Sequence, residues 1–196
     1  AYTDKAADMR QKMLESLSMY SDEMMELLLT EQEVPTDLVY SVCKAATQQL
    51  RITPVFCGSA YKNKGVQLLL DAVLRYLPNP TERDIKARKV GDETQKLDLK
   101  PDPNLPFVGM AFKIVEDPFG QLTFMRIYQG KISKGEMYIN QRTGKKERFS
   151  RIVRMHADKR EEIDSAEAGD IVAIMGIDCA SGETYSNDRD YCSLES

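Results

Sequence analysis

The 196-residue sequence has no tryptophan and one histidine, His156. No cysteine or carboxylate cluster is spaced around that imidazole, so no metal site is expected and histidine-based acid–base catalysis has no second partner. The four cysteines, Cys43, Cys57, Cys179 and Cys192, form no C-x-x-C pair, which excludes zinc-ribbon and dithiol redox chemistry; reduced thiols are expected. No apolar run approaches the ~18 residues of a membrane span, and the opening AYTDKAADMRQK lacks the apolar core of a signal peptide. A soluble, cytoplasmic chain with no membrane partner is therefore expected. A serine nucleophile on a G-x-S-x-G elbow is absent. So is the phosphate loop G-x-x-x-x-G-K-[ST]: the two glycines five apart, Gly130 and Gly135, are followed by Glu136. No catalytic residue can be nominated.

What the sequence does contain is a balanced, foldable composition. Apolar residues make up 42% and charged residues 30%, with a net charge of −4, which fits a globular protein with a real core rather than a nucleic-acid-coating or disordered chain. The length admits one large domain or two small ones. Residue 1 is alanine and helix-forming sequence starts at once, as expected of a piece cut from a longer chain.

Thr3 to Leu29 is rich in Met, Leu, Glu and Lys, with a fresh helix start at Ser21-Asp22-Glu23, which predicts two short helices. Pro35-Thr36-Asp37 offers the start of a third, whose face would be Leu38, Val42, Ala45, Ala46 and Leu50. Ile52 to Phe56 reads as a short buried strand ending in the Gly58-Ser59-Ala60 turn. Val66, Leu69, Leu70, Val73, Leu74 and Leu77 then step by three and four until Pro78-Asn79-Pro80, predicting a helix with one face buried. Residues 81–106 mix Lys/Arg with Asp/Glu and prolines and have little apolar period, the composition of a linker. From Phe107 the period changes to two, with turn signals at Asp117-Pro118, Gly130, Lys134-Gly135, Gly144 and Ala168-Gly169, predicting a small antiparallel barrel over 107–196. Asp117-Pro118-Phe119-Gly120 imitates a D-x-x-G switch element but sits between strands, where Asp-Pro followed by glycine is hairpin chemistry.

One local charge anomaly stands out. Between Arg142 and Arg160, eight cations (Arg142, Lys145, Lys146, Arg148, Arg151, Arg154, Lys159, Arg160) face only Glu147 and Asp158. Lys145, Lys146, Arg148, Arg151 and Arg154 are candidates for contact with phosphate backbone, although strand alternation keeps them from forming a single stripe; the plain alternative is a solvated surface.

The string ITPVFCGSAYKNKGVQLLLDAVLRYLPNP at 52–80 resembles the end of the GTPase domain in the translation elongation factor G family. Residues 101–185 are similar to that family's second domain, and residues 1–51 match more loosely as the preceding helices. The resemblance implies a multidomain fold, α/β plus all-β: a partial, mainly helical end of a P-loop GTPase domain over 1–80, a linker over 81–106, and a translation-factor β-barrel over 107–196. It implies that Gly58, Ser59 and Ala60 form the fifth guanine-nucleotide motif, with the Ala60 N–H facing the guanine carbonyl oxygen and Gly58 shaping the loop. It also implies a parent GTP hydrolase acting in ribosomal translocation, with GTP and Mg held by parts this chain lacks, and a barrel that packs on the GTPase domain and contacts small-subunit ribosomal RNA. Remaining domains of the parent would be further partners. Other readings are a related translational GTPase of release or ribosomal-protection type, sharing T-P-V-F-x-G-[ST]-A, or a free-standing RNA-binding β-barrel; KNKGVQLLLDAV favours the elongation factor G family over both.

The chain alone should not bind GDP usefully, since one base-edge motif of five cannot replace the missing phosphate and magnesium groups. Calorimetric titration with GDP and magnesium should show no micromolar heat.

Overall fold

The computed structural model describes residues 2–117 and 120–194. The chain divides into two compact units, Ala1–Asn79 and Pro80–Ser196. Among the described residues no helix is long and apolar enough to cross a membrane.

The first unit is helical: α1 (Thr3–Ser18), α2 (Asp22–Leu29), α3 (Thr36–Gln48) and α4 (Val66–Tyr76). The break between α1 and α2 falls at Ser21, whose extended backbone lets its hydroxyl accept from the Met24 N–H at 3.3 Å, satisfying a donor that a helix start leaves unpaired. Leu14, Leu17, Met24, Val34, Val39 and Val42 bury together as the core of this unit. The buried face of α3 is Val39, Val42 and Ala46, one step round from the expected one, with Ala45 exposed. Leu50 lies beyond the helix altogether, 86% exposed with φ +60°. It is the left-handed residue of a Schellman cap, in which the Arg51 N–H reaches the Ala46 carbonyl at 2.9 Å and the Leu50 N–H reaches Thr47 at 3.0 Å.

Two expectations for this unit fail for one reason. Residues 52–58 form no strand, and the α4 face is open: Leu69, Leu70, Val73, Leu74 and Leu77 are 44–83% exposed, leaving Ala72 as the buried residue of the helix. A strand exists only through partners for its N–H and C=O groups, and an apolar stripe is buried only where another layer meets it. Among the described residues of the unit neither partner is present. α4 is instead held at its far end, where the Arg75 guanidinium lies 4.0 Å from the Tyr40 ring centre and Tyr76 stacks on Phe56 at 6.3 Å.

The second unit is all β. Its strands are β1 (Ile85–Lys89), β2 (Asp92–Leu99), β3 (Val108–Asp117), β4 (Gly120–Gln129), β5 (Lys131–Ser133), β6 (Met137–Asn140), β7 (Lys146–Arg148), β8 (Arg151–His156), β9 (Lys159–Ile163), β10 (Ser165–Glu167), β11 (Ile171–Met175), β12 (Thr184–Ser186) and β13 (Cys192–Ser193). Eight of them form one antiparallel sheet in the order β7-β6-β12-β3-β4-β11-β8-β9. In a flat sheet β7 and β8 would stand about 29 Å apart, at ~4.8 Å per strand. Yet Phe149 and Ser150 alone join them, and so short a link reaches only about 10 Å. The sheet therefore curls until its ends approach, as a barrel requires. Phe107, Tyr138, Phe149 and Tyr185 fill the enclosed space, Phe107 edge-on to Tyr138 and Phe149 edge-on to Tyr185, with the tilted rings of Tyr138 and Phe149 4.6 Å apart, beside Met125, Ile127, Ile132, Ile152 and Ile174. Gly130 is fixed by the same crowding: at φ +73°, a Cβ would stand 2.6 Å from Leu105 and Phe107 backbone atoms.

Residues 81–106, expected as a linker, carry β1 and β2, which join β13 in a three-stranded sheet. Ala87, Leu99, Val108, Cys192 and Leu194 bury between this sheet and the barrel. The alternation was hidden because each short strand contributes only one or two apolar side chains while its other face is charged. Strands β3 and β4 pair up to Asp117 opposite Gly120; the expected turn at Pro118-Phe119 lies outside the described residues.

Relieving the left-handed strain at Leu50 should stabilise the helical unit. Leu50→Gly loses almost no buried surface, and the αL position costs a branched residue about 1 kcal/mol or more. A higher urea midpoint for helical circular dichroism, with an unchanged slope, is the expected result.

Candidate nucleotide turn and basic barrel surface

In the first unit, Gly58, Ser59 and Ala60 open a tight loop. Ser59 and Lys64 form an isolated antiparallel bridge, the Ser59 N–H donating to the Lys64 carbonyl at 2.8 Å and the Lys64 N–H returning to Ser59 at 3.0 Å. The Lys62 N–H also reaches the Ser59 carbonyl, and Asn63, in the left-handed region, donates to the Ala60 carbonyl. The neck is closed by two glycines in contact: a Cβ on Gly58 would stand 2.8 Å from the Lys64 oxygen, and one on Gly65 3.0 Å from the Cys57 oxygen. Glycine is required at both positions by this close backbone approach. The loop is thus shaped without help from a ligand. Among the described residues the Ala60 N–H has no acceptor, and Ala60 and Tyr61 are exposed.

In the second unit the five basic candidates do not converge. Lys145 makes an ion pair with Glu147 at 3.0 Å, and that hydrogen bond and charge hold its ammonium above the usual lysine range. Arg148 donates to the Gly135 carbonyl at 2.9 Å. Arg151 lies 3.5 Å from Glu162, which also accepts from Lys134. Lys146 and Arg154 have no ion-pair partner among the described residues, and they lie on different strands. Arg154 shares the strand face of Ile152, opposite to that of Arg151.

What the basic segment surrounds is a buried polar network that sequence reading missed. Asn140, Glu147, Glu183 and Tyr185 are nearly inaccessible. Tyr185 donates to Glu147 at 2.6 Å, and Asn140 donates to Glu183 and to the Tyr185 oxygen. Arg142 closes the network from outside, its Nε donating to Glu183 at 2.7 Å and Nη2 joining the same oxygen. Burial works to raise the Glu183 carboxyl, but the hydrogen bonds from Arg142 and Asn140 outweigh it and hold the carboxyl below the ordinary range. Burial, then the bond to Glu147, pushes the Tyr185 phenol up, so it remains a donor. The Asn140 side-chain oxygen accepts from the Arg142 and Thr143 N–H groups, fixing the β6–β7 turn. No local signal could have revealed this network, because Glu183 meets residues some forty positions earlier.

A curled antiparallel sheet with an aromatic core, preceded by a helical unit carrying a pre-shaped G-S-A loop, has the architecture of a translation-factor barrel following the end of a GTPase domain. Residues 120–186 match the family model Elongation factor Tu domain 2. Over 98% of its length the chain is 65% identical to elongation factor G of Rhodopirellula baltica, covering 28% of that protein. It is 48% identical over 93% of its length to elongation factor G 1 of Borreliella afzelii, covering 26% of it. A solved crystal structure from Thermus thermophilus matches 95% of the chain, and 26% of its own, with TM-score 0.68 and 23% identity; that likeness shows the fold alone. The resemblance to elongation factor G thus extends over nearly the whole chain, which spans about a quarter of the length of these relatives.

The Glu183 carboxyl sets a pH dependence. As its folded-state value is depressed, its contribution to stability is complete above the unfolded-state range near 4.5 and is lost as pH falls through the lower folded value. Urea midpoints of the barrel between pH 6 and 3 should fall, and Glu183→Gln should flatten that decline; an equal slope in both proteins would remove Glu183 as its source.

Proposed function

We propose that the chain is the part of a ribosomal translocation GTPase of the elongation factor G kind that joins the end of the nucleotide-binding domain to the second-domain barrel. The observation that carries this reading is the 65% identity with an elongation factor G over 98% of the chain. In that role the Gly58-Ser59-Ala60 loop receives the guanine base, and the Ala60 N–H donates to its carbonyl oxygen. The phosphates and magnesium are held by the remainder of the longer protein, which also supplies the hydrolytic groups. The loop's own backbone hydrogen bonds support the assignment: they close its neck without a nucleotide, which leaves little ordering to be done on binding.

The barrel's part in this reading is to pack beside the nucleotide-binding domain and to meet the small ribosomal subunit in the cytoplasm. Of the five basic candidates, Lys146 and Arg154 are best suited to phosphate contact, since the other three are already engaged within the barrel. Each contact should add salt-dependent affinity without reading sequence.

The test is made on the protein encoded by the complete reading frame. It should hydrolyse GTP in a manner stimulated by ribosomes, and Ala60→Pro, which removes the N–H, should lower guanine-nucleotide affinity at least tenfold. In the same protein Lys146→Gln with Arg154→Gln should reduce small-subunit affinity and flatten its log–log salt slope by roughly 1.5. GTP hydrolysis indifferent to ribosomes would refute the translational reading, and an unchanged salt slope would refute the RNA contacts.

A further inference from the structure

The β1–β2 hairpin, the β6–β7 turn and the loop before β12 enclose a cleft of about 460 Å³, lined among others by Arg88, Lys89, Arg142, Gly182 and Glu183. A regular strand would send Arg88 and Lys89 to opposite faces. The register of β1 against β2 slips between them: Arg88 faces Lys96, whereas Lys89 faces Asp92. Such an irregularity re-aims side chains, and here both neighbours line the same cleft. Asp92, opposite Lys89, accepts from the Thr94 N–H at 3.1 Å and from its hydroxyl at 2.6 Å; those bonds hold its carboxyl below the usual range with a smaller pull from the Lys89 charge, so it offsets part of the positive charge at this rim.

Arg142 enters from the opposite wall. Its guanidinium is held along one edge by Glu183, whose side chain is only 3% exposed, while Arg142 itself is 68% exposed. The one carboxylate in the lining is therefore consumed as an anchor by Arg142 and Asn140, and the free edge of a planar donor fork is presented to the cleft in a fixed orientation. Arginine in this state loses little side-chain entropy on meeting an oxyanion and matches its geometry with paired N–H groups. A concave site with surplus positive charge, in a chain of net charge −4, selects an anion of that geometry.

We propose that this cleft is a phosphate-binding site, with Arg142 as the fixed donor fork and Lys89 as the adaptable charge. It is separate from the β7 and β8 cations, and the assignment holds whether or not those touch RNA. The shared ligand chemistry is a phosphate group, which a polynucleotide backbone or a free phosphate could supply.

The test is a titration of the isotopically labelled chain with fluorescein-labelled decauridylate and, separately, with inorganic phosphate. Amide shifts at Lys89, Gly91, Arg142 and 180–182 are expected. Lys89→Gln should weaken decauridylate binding about fivefold and flatten its salt slope by roughly 0.7, while Lys159→Gln, an equal change of net charge on the β8–β9 hairpin, should do neither. Arg142→Lys keeps the charge and Glu183 paired but removes the fork, and should also weaken binding. Displacement of decauridylate by inorganic phosphate at low millimolar concentration assigns a single-phosphate site; resistance to it, with the same amide shifts, assigns a polynucleotide backbone. Equal effects of Lys89→Gln and Lys159→Gln, or shifts confined to β7 and β8, would overturn the site. Ribosome-stimulated hydrolysis in the longer protein is read independently, so failure of one assignment leaves the other standing.

Discussion

Everything in the β unit depends on the two-residue passage from β7 to β8. It obliges β7, at one end of the eight-stranded sheet, and β8, next to the other end, to come within about 10 Å of each other, and that is possible only if the sheet is rolled. Phe149, within the passage, then becomes the keystone of the interior, touching Phe107, Tyr138 and Tyr185. The geometric constraint and the hydrophobic one coincide in the same side chain, so connection length and core composition specify one curvature. The polar network beside this core rests on strand adjacency instead: β7, β6 and β12 are consecutive neighbours in the sheet, so that each buried carboxylate finds donors. Removing one donor would leave a buried acceptor unpaired, at a cost of about 1–3 kcal/mol.

The parts of the fold legible in the sequence were those whose signals are local. Ser21 announces the break between α1 and α2, the Met, Leu and Glu content announces the helices, and alternation from Phe107 announces the strands. Strands β1 and β2 were read as a linker because a three-stranded layer on a barrel needs only Ala87 and Leu99 to point inward; two apolar residues are too few for a period. The α3 face came out one step away because Leu50 was counted in a helix that a left-handed residue had already ended. For the strand expected at Ile52–Phe56 and the buried face expected of α4 the local pattern misled, because a strand needs hydrogen-bonding partners and an apolar stripe needs a facing layer, neither of which a local pattern reports.

The candidate site shows the same division. Gly58 stands in the motif that the resemblance picks out, whereas its contact with Gly65 depends on how the loop folds back and is visible only in the structure. The basic segment was a count of charges, and counting cannot tell a solvated cation from one already engaged. Three of the five nominated cations are engaged by Glu147, by a carbonyl and by Glu162. Arg142, which counting treated as one among eight, is anchored like Lys145 on a buried carboxylate, but its partner Glu183 lies far along the chain, where counting does not look.

The pairing of β1 with β13 has a mechanical consequence. Arg88 lies opposite Ser193 and Lys89 opposite Cys192, so the first and last strands of the unit lie one strand-width apart. The small sheet is therefore a clasp that ties the first strand of the unit to its last. Tension applied at the two ends would load β1 and β13 side by side, unzipping that small sheet before the rolled sheet bears any force.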